Sequence, residues 1–271
     1  MSGYLQVHNL CKSFRGGRGL FARGPEIVAV DDVSFEIPRG TTFGLVGESG
    51  SGKSTTARIV ARLLDADSGE VVLDGQPMLK LRGRELLRAR RRIQMVFQDP
   101  FASLNPRWKV GRLVAEGMRI HKLGSPSDRR RRVAELLEQC GLPAEAADRY
   151  PHEFSGGQRQ RIGIARALAV EPEVLVLDEP VSALDVSIRA QILNLLTRLQ
   201  RELDLTYLFI AHDLAIVERF CDEIAVMRHG VIVERGRPTE LYRDPRHEYT
   251  RELLDAIPIP DPRRRTLGGT K

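Results

Sequence analysis

At 271 residues, with 42% hydrophobic and 29% charged positions, the chain has ample apolar sequence for a folded core and lacks a disordered composition. Its longest apolar runs, such as 174–177 and 207–211, are far shorter than the roughly 18–20 residues of a membrane span, and no apolar stretch after residues 1–9 reads as a secretory signal. The net charge of +6 comes from arginine clusters (Arg88, Arg90, Arg91 and Arg92; 129–132; 263–265) without an aromatic stacking platform, so solvated faces are expected and a nucleic-acid partner is not.

Taken in chain order, residues 5–7, 29–30 and 33–35 read as strands of an antiparallel sheet, with a Gly/Arg-rich connection at 16–25. Residues 43–46 form a short apolar strand, and a glycine-rich turn leads into a helix near 54–64. Leu73-Asp74-Gly75 signals a hairpin, and 93–97 reads as a buried strand. From Asp99 to about Arg149 the pattern becomes helical. Ser127 is expected to cap a helix whose Val133, Leu136, Leu137 and Cys140 share one face, with Gly141 ending it. Buried strands return at 174–177 and 206–210, separated by a helical pattern around 188–202. A last hairpin, 225–234, turns at His229-Gly230. Strands alternating with helices predict an α/β core with a helical insertion over 99–169. The Pro/Arg-rich tail, 258–271, is expected to be poorly ordered. Cys11, Cys140 and Cys221 have no CxxC spacing and are expected to be small buried hydrophobes in a reducing compartment.

Residues 47–54, Gly-Glu-Ser-Gly-Ser-Gly-Lys-Ser, fit GxxxxGK[ST] between an apolar strand and a helix. Glycines let the backbone wrap phosphates and aim its N–H groups inward, and the following helix presents its positive end to the same anion. Candidate ATP contacts are Gly47, Ser49, Gly50, Gly52, Lys53, Ser54 and Thr55, with Lys53 a point charge for the β- and γ-phosphates and Ser54 a Mg²⁺ ligand. A second apolar strand, 174–177, ends in Asp178 and Glu179. Asp178 is placed to orient Mg²⁺, and Glu179 to polarise water against the γ-phosphate.

Phe154-Ser155-Gly156-Gly157-Gln158 resembles the LSGGQ signature of ABC ATPases, and the resemblance spans about residues 5–255. It implies a P-loop ABC ATPase domain over 1–257, with an N-terminal antiparallel β-subdomain and an inserted helical signature subdomain. It implies that Gln98 is the Q-loop glutamine and a metal contact, 182–185 the D-loop, and His212 a catalytic switch histidine. It also implies a head-to-tail nucleotide sandwich, in which Ser155, Gly156, Gly157, Gln158 and Asp185 reach ATP held by a second ATPase subunit. Phe14 resembles the aromatic that stacks on adenine. Three stretches, 98–107, 178–188 and 245–250, resemble the peptide and nickel importer ATPases, the last departing with Glu248 where proline is usual. Such relatives work at the cytoplasmic membrane face, with two membrane-spanning permease subunits, a different second ATPase and an external solute-binding protein. Some carry an iron–sulfur cluster; no cysteine follows Cys221, so none is expected here. Residues 99–110, with Phe101, Leu104 and Trp108 bunched among prolines, are expected to dock on the permease. A nickel or other small-solute importer stays open; a soluble ABC ATPase acting on DNA or ribosomes is disfavoured, because such relatives carry a long coiled-coil insertion or two tandem ATPase units and neither reads in the 271 residues. An ATP-binding subunit without catalysis fits less well, because Glu179, His212 and the signature are intact.

Overall fold

The computed structural model describes residues 3–15, 26–99 and 103–256. Strands β1 (Leu5–Arg15) and β2 (Glu26–Ile37) turn Leu5, Val7, Val33, Phe35 and Ile37 inward at every second position. They pair antiparallel with each other and with β4 (Ser68–Leu73), which pairs with the short β5 (Gln76–Pro77), in the order β2-β1-β4-β5. The second sheet follows a different rule. Strand β3 (Thr42–Val46), β7 (Val174–Asp178) and β8 (Thr206–Ala211) contain only buried residues. Parallel strands covered on both faces must be apolar throughout, which is why they lack the alternation of β1 and β2. With β6 (Ile93–Val96), β9 (Glu223–Arg228) and β10 (Val231–Gly236) they form a six-stranded sheet in the order β10-β9-β3-β8-β7-β6. All neighbours are parallel except β9 and β10, whose hairpin turns on His229 and Gly230, both at positive φ.

Two cores cover the two faces. Phe43, Leu45, Val174, Val176, Leu208 and Ile210 pack with helix α1 (Lys53–Val60) and the antiparallel sheet, and Phe35 stacks on Phe43 at 4.8 Å between ring centroids. Helix α2 (Gly83–Arg92) leads into β6 on the same side. Val46, Leu175, Leu177, Tyr207 and Phe209 face a helical layer: α3 (Val110–Ile120), α4 (Pro126–Gln139), α5 (Gly156–Leu168) and α6 (Val186–Leu203). The chain finishes with α7 (Leu214–Phe220), α8 (Pro238–Arg243) and α9 (Glu248–Asp255). Among the described residues, no helix is long and apolar enough to cross a membrane.

Two expectations are corrected. Ser125, not Ser127, caps α4: its hydroxyl accepts from the Asp128 amide and the Asp128 carboxylate accepts from the Ser125 amide, with Pro126 at the first helical position. A rigid proline there favours the earlier start. Leu104 is buried in the core beneath the helical layer and is not an exposed docking residue. Trp108 is half-buried against the same core, with the Arg112 guanidinium 3.7 Å over its ring. Phe101 and the 258–271 tail lie outside the described residues. Cys140 and Cys221 are buried, and burial pushes the Cys140 thiol up to about 12; Cys11 is only half-buried.

Candidate active site

The phosphate loop takes its shape from close packing. A Cβ at Gly47 would lie 2.1 Å from the Met227 carbonyl oxygen, and one at Gly52 would lie 2.1 Å from that of Ala29; both have positive φ. No side chain fits at either position, so glycine is required for two reasons at once. The β9–β10 turn braces the loop from behind, with the Gly230 amide donating to the Ser51 carbonyl at 3.0 Å. Lys53 opens α1 and is buried. Its ammonium donates to the carbonyls of Gly47 (2.8 Å) and Glu48 (2.6 Å) and to the Ser51 hydroxyl (3.1 Å). Burial pulls its pKa below the ordinary lysine value, against the pull of Glu179, Asp178 and Glu48.

Asp178 closes β7 as a buried carboxylate, and the Ser54 hydroxyl donates to its Oδ1 at 2.9 Å. Burial pushes the Asp178 carboxyl above its ordinary value; the Ser54 hydrogen bond opposes this only in part. Glu179 follows in a left-handed conformation, φ 46°, with its amide donating to the Ile210 carbonyl at 3.1 Å. That conformation is costly for a residue other than glycine and turns the side chain out of the strand's alternation. One of its oxygens, Oε2, accepts from the Gln98 amide at 2.9 Å and lies 3.1 Å from Nδ1 of His212. Gln98 follows β6, Glu179 follows β7 and His212 follows β8. Three adjacent parallel strands thus deliver the three groups at their C-terminal ends, where ligands bind in such sheets.

Ala29, the phosphate loop through Thr55, Gln98, Glu179, His212 and Leu253 line one cleft of about 610 Å³. Ser155, Gly156, Gly157, Gln158 and Asp185 are not part of it. Ser155 caps α5 in a reciprocal box with Gln158, and Asp185 is the exposed residue before α6. Phe14 also lies outside the lining. It pairs across β1 and β2 with Ile27, two residues from Ala29, and is exposed, as are Ile27 and Val28.

Some contacts have no sequence signal. The Arg189 guanidinium donates to the carbonyls of Leu184 (2.7 Å) and Ser182 (3.3 Å) and lies 3.6 Å from the Asp213 carboxylate, so it ties the 182–185 turn to the residue after His212. The cleft-lining Leu253 and its neighbour Tyr249, a turn earlier in α9, are equally remote from the loop in sequence.

A glycine-rich loop joining a buried parallel strand to a helix, with the next strand but one of the same sheet ending in Asp178 beside Ser54, defines a P-loop nucleoside triphosphatase. The family model described as "ABC transporter" matches residues 30–182, more than half of the chain, and that for "Oligopeptide/dipeptide transporter, C-terminal region" matches 233–271. The chain belongs to the ABC transporter family, and as one of its ATP-binding subunits it is an ATPase. It is 55% identical over 260 residues to the oligopeptide transport ATP-binding protein OppF of Bacillus subtilis (strain 168), covering 95% of this chain and 83% of that protein. It is 52% identical over 259 residues to OppF of Streptococcus mutans serotype c, covering 95% and 82%. A solved dimer of the ATP-binding cassette MJ0796 in a post-hydrolysis state, bound to ADP and Pi, matches with a TM-score of 0.77 at 31% identity, covering 86% of this chain and 98% of that one.

Proposed function

We propose that the chain is the ATP-hydrolysing subunit of a membrane importer for peptide-type solutes and forms half of a head-to-tail ATP sandwich at the cytoplasmic membrane face. The observation that carries the catalytic part is the meeting of Gln98, Glu179 and His212 on one carboxylate oxygen at the mouth of the phosphate cleft. The peptide substrate rests on the two OppF relatives and on the match of the C-terminal region.

In this reading the loop amides and Lys53 bind the phosphates, and the ammonium exchanges its carbonyl partners for phosphate oxygens. Ser54, Asp178 and Gln98 would hold Mg²⁺. The fit is chemical: these are hard oxygen donors, and a single buried carboxylate suits an ion that keeps waters and phosphates as its other ligands. When bound, the ion draws charge from the phosphate oxygens. Glu179 accepts a hydrogen bond from water aimed at the γ-phosphorus, while Gln98 and His212 hold its carboxylate in place. The water oxygen bonds to the γ-phosphorus as the bond to the ADP oxygen breaks, and the water's proton passes by way of Glu179 to the released phosphate, giving ADP and inorganic phosphate. His212 is half exposed and can turn its ring toward the γ-phosphate.

The signature lies off this cleft in its own chain, so its Ser155 hydroxyl and the N-terminal end of α5 are available to ATP on a second subunit. Asp185 and the exposed Val186 stand beside it at the start of α6. Phe14 and its cross-strand partner Ile27 form an exposed apolar pair two residues from Ala29, suited to adenine. For the permease subunits, the best-supported surface is the groove rimmed by the exposed Leu63, Leu87 and Ile120, with Phe97 in its wall directly before Gln98. A partner covering these side chains would sit one residue from the catalytic glutamine.

The sandwich is tested by light scattering with the second ATPase subunit. ATP should drive association of the wild-type chain when turnover is slowed by chilling, and Ser155→Arg should block it while leaving ATP binding in its own cleft. Equal association with and without ATP would sink the model. Peptide uptake by the reconstituted importer tests the substrate: ATP hydrolysis without stimulation by any peptide would exclude it.

A further inference from the structure

The second residue of the phosphate loop has an amide that is satisfied from the far end of the fold. The Glu48 N–H donates to the Tyr249 hydroxyl at 2.9 Å, across 201 positions of sequence. Tyr249 is 1% exposed, so its phenol ring has no freedom to swing away. Its place is set in steps. Glu234 on β10 accepts from the amides of Arg246 (2.8 Å) and His247 (3.0 Å), fixing the entry to α9. His247 then caps α9 through Nδ1, which accepts from the Tyr249 amide at 3.1 Å. The Arg228 guanidinium covers the Tyr249 ring at 4.6 Å, and the preceding residue, Met227, supplies the carbonyl against which Gly47 packs. Gly47 and Glu48 are therefore gripped between a carbonyl on one side and a phenol on the other. Leu253, one turn along α9, reaches the cleft itself. The family's proline position, Glu248 here, is the first residue of α9, a site where proline and an acidic residue are both favourable; the departure leaves this arrangement intact.

We propose that Tyr249 is a positioning residue for ATP binding: its hydroxyl fixes the Glu48 amide, second in the phosphate loop, and thereby the aim of the N–H groups that follow at the phosphates. The role presupposes that the loop binds ATP, as proposed above. An amide left unsatisfied at this half-buried point would let the loop sample other conformations, each costing affinity in proportion to its population.

The experiment uses the full-length chain and Tyr249→Phe, which keeps the ring and deletes only the oxygen. ATP affinity, steady-state ATPase in the assembled importer, thermal stability without nucleotide, and hydrogen exchange of the 47–53 loop are measured together. Leu241→Ala, at a buried apolar position of α8 away from the cleft, reports pure packing, and Lys53→Ala reports loss of phosphate binding. Tyr249→Phe is expected to raise Kd and KM for ATP by about 3–10-fold, as for the loss of one hydrogen bond. It should leave kcat within about twofold and speed exchange in the loop. Leu241→Ala should lower Tm without moving KM. Wild-type KM and loop exchange in Tyr249→Phe, or a change in KM no larger than that of Leu241→Ala at equal Tm, would overturn the role. If the wild-type chain bound ATP no better than Lys53→Ala, the assignment of the loop would fall, and the role with it.

Discussion

At the N-terminal end of β7, Glu173 accepts from Arg92 at 2.8 and 2.7 Å and from the Tyr4 hydroxyl; at the C-terminal end of the same strand, Asp178 has the Ser54 hydroxyl and an incomplete set of charge partners. Burial disfavours both carboxylates. At Glu173 the Arg92 and Tyr4 hydrogen bonds outweigh burial and hold the carboxyl below its ordinary range. At Asp178 burial wins and holds it above, and the neighbouring Lys53 is displaced the opposite way by the same cause. One end is electrostatically complete and ties the antiparallel sheet to the parallel one. The other is folded at a cost in stability, as sites that must receive a charged ligand commonly are.

The largest effect should come from Glu179→Gln, which deletes the water-polarising charge. ATPase turnover of the assembled importer is expected to fall by about 10²–10⁴-fold while ATP binding persists. Near-wild-type turnover would remove Glu179 from the mechanism. Asp178→Asn should lower turnover by at least about 100-fold. Calorimetry should find its Tm equal to or above wild type, because a buried carboxylate has been neutralised at a point where the fold disfavours its charge. A Tm several degrees lower would mean that the two ends of β7 are alike after all. Arg189→Ala removes the clamp between the 182–185 turn and Asp213, and should slow turnover by about 3–10-fold with little change in stability. The smallest functional effect belongs to Glu173→Gln: turnover within about twofold of wild type, but stability lower by about 1–3 kcal/mol, read as a fall in the chemical-denaturation midpoint.

The pH dependence separates the ends by sign. A carboxyl depressed in the fold, as at Glu173, contributes stability that is fully present above its unfolded value and is lost as pH falls through the folded one. Acid unfolding of the wild type should therefore steepen below about pH 4.3, and Glu173→Gln should flatten that limb. Asp178 works the other way: its ionisation as pH rises through the carboxylate range costs stability. Asp178→Asn should remove that loss. If both variants bent the profile in the same direction, the contrast would be wrong.

What the sequence disclosed follows from the range of each interaction. The phosphate loop, the strand ending in two acids and the His229-Gly230 hairpin are local patterns, each complete within a few residues. Ser127 is a cap candidate from its side chain alone, but Pro126 at the first helical position starts the helix two residues earlier and leaves Ser125 in the capping position. Leu104 among prolines has the composition of an exposed loop, yet the helical layer closes over it. The convergence of Gln98 and His212 on Glu179 depends on three strands lying side by side, an order that no spacing reveals. Tyr249 and Glu48 are the extreme case: neither belongs to a pattern that names the other.

Gly157 gives the signature a tolerance of almost nothing. A Cβ there would lie 2.5 Å from Cγ2 of Ile188, and one at Gly156 would touch Leu184 at 3.4 Å. The turn that precedes α6 and the first turn of α5 are thus shaped as one casting and its mould. For anyone building hybrid cassettes, residues 155–158 and 184–188 form a single transplantable block. Grafting either half from a homologue with a different residue at 157 or 188 should give a folded protein with a misaligned face, and moving both together should restore it.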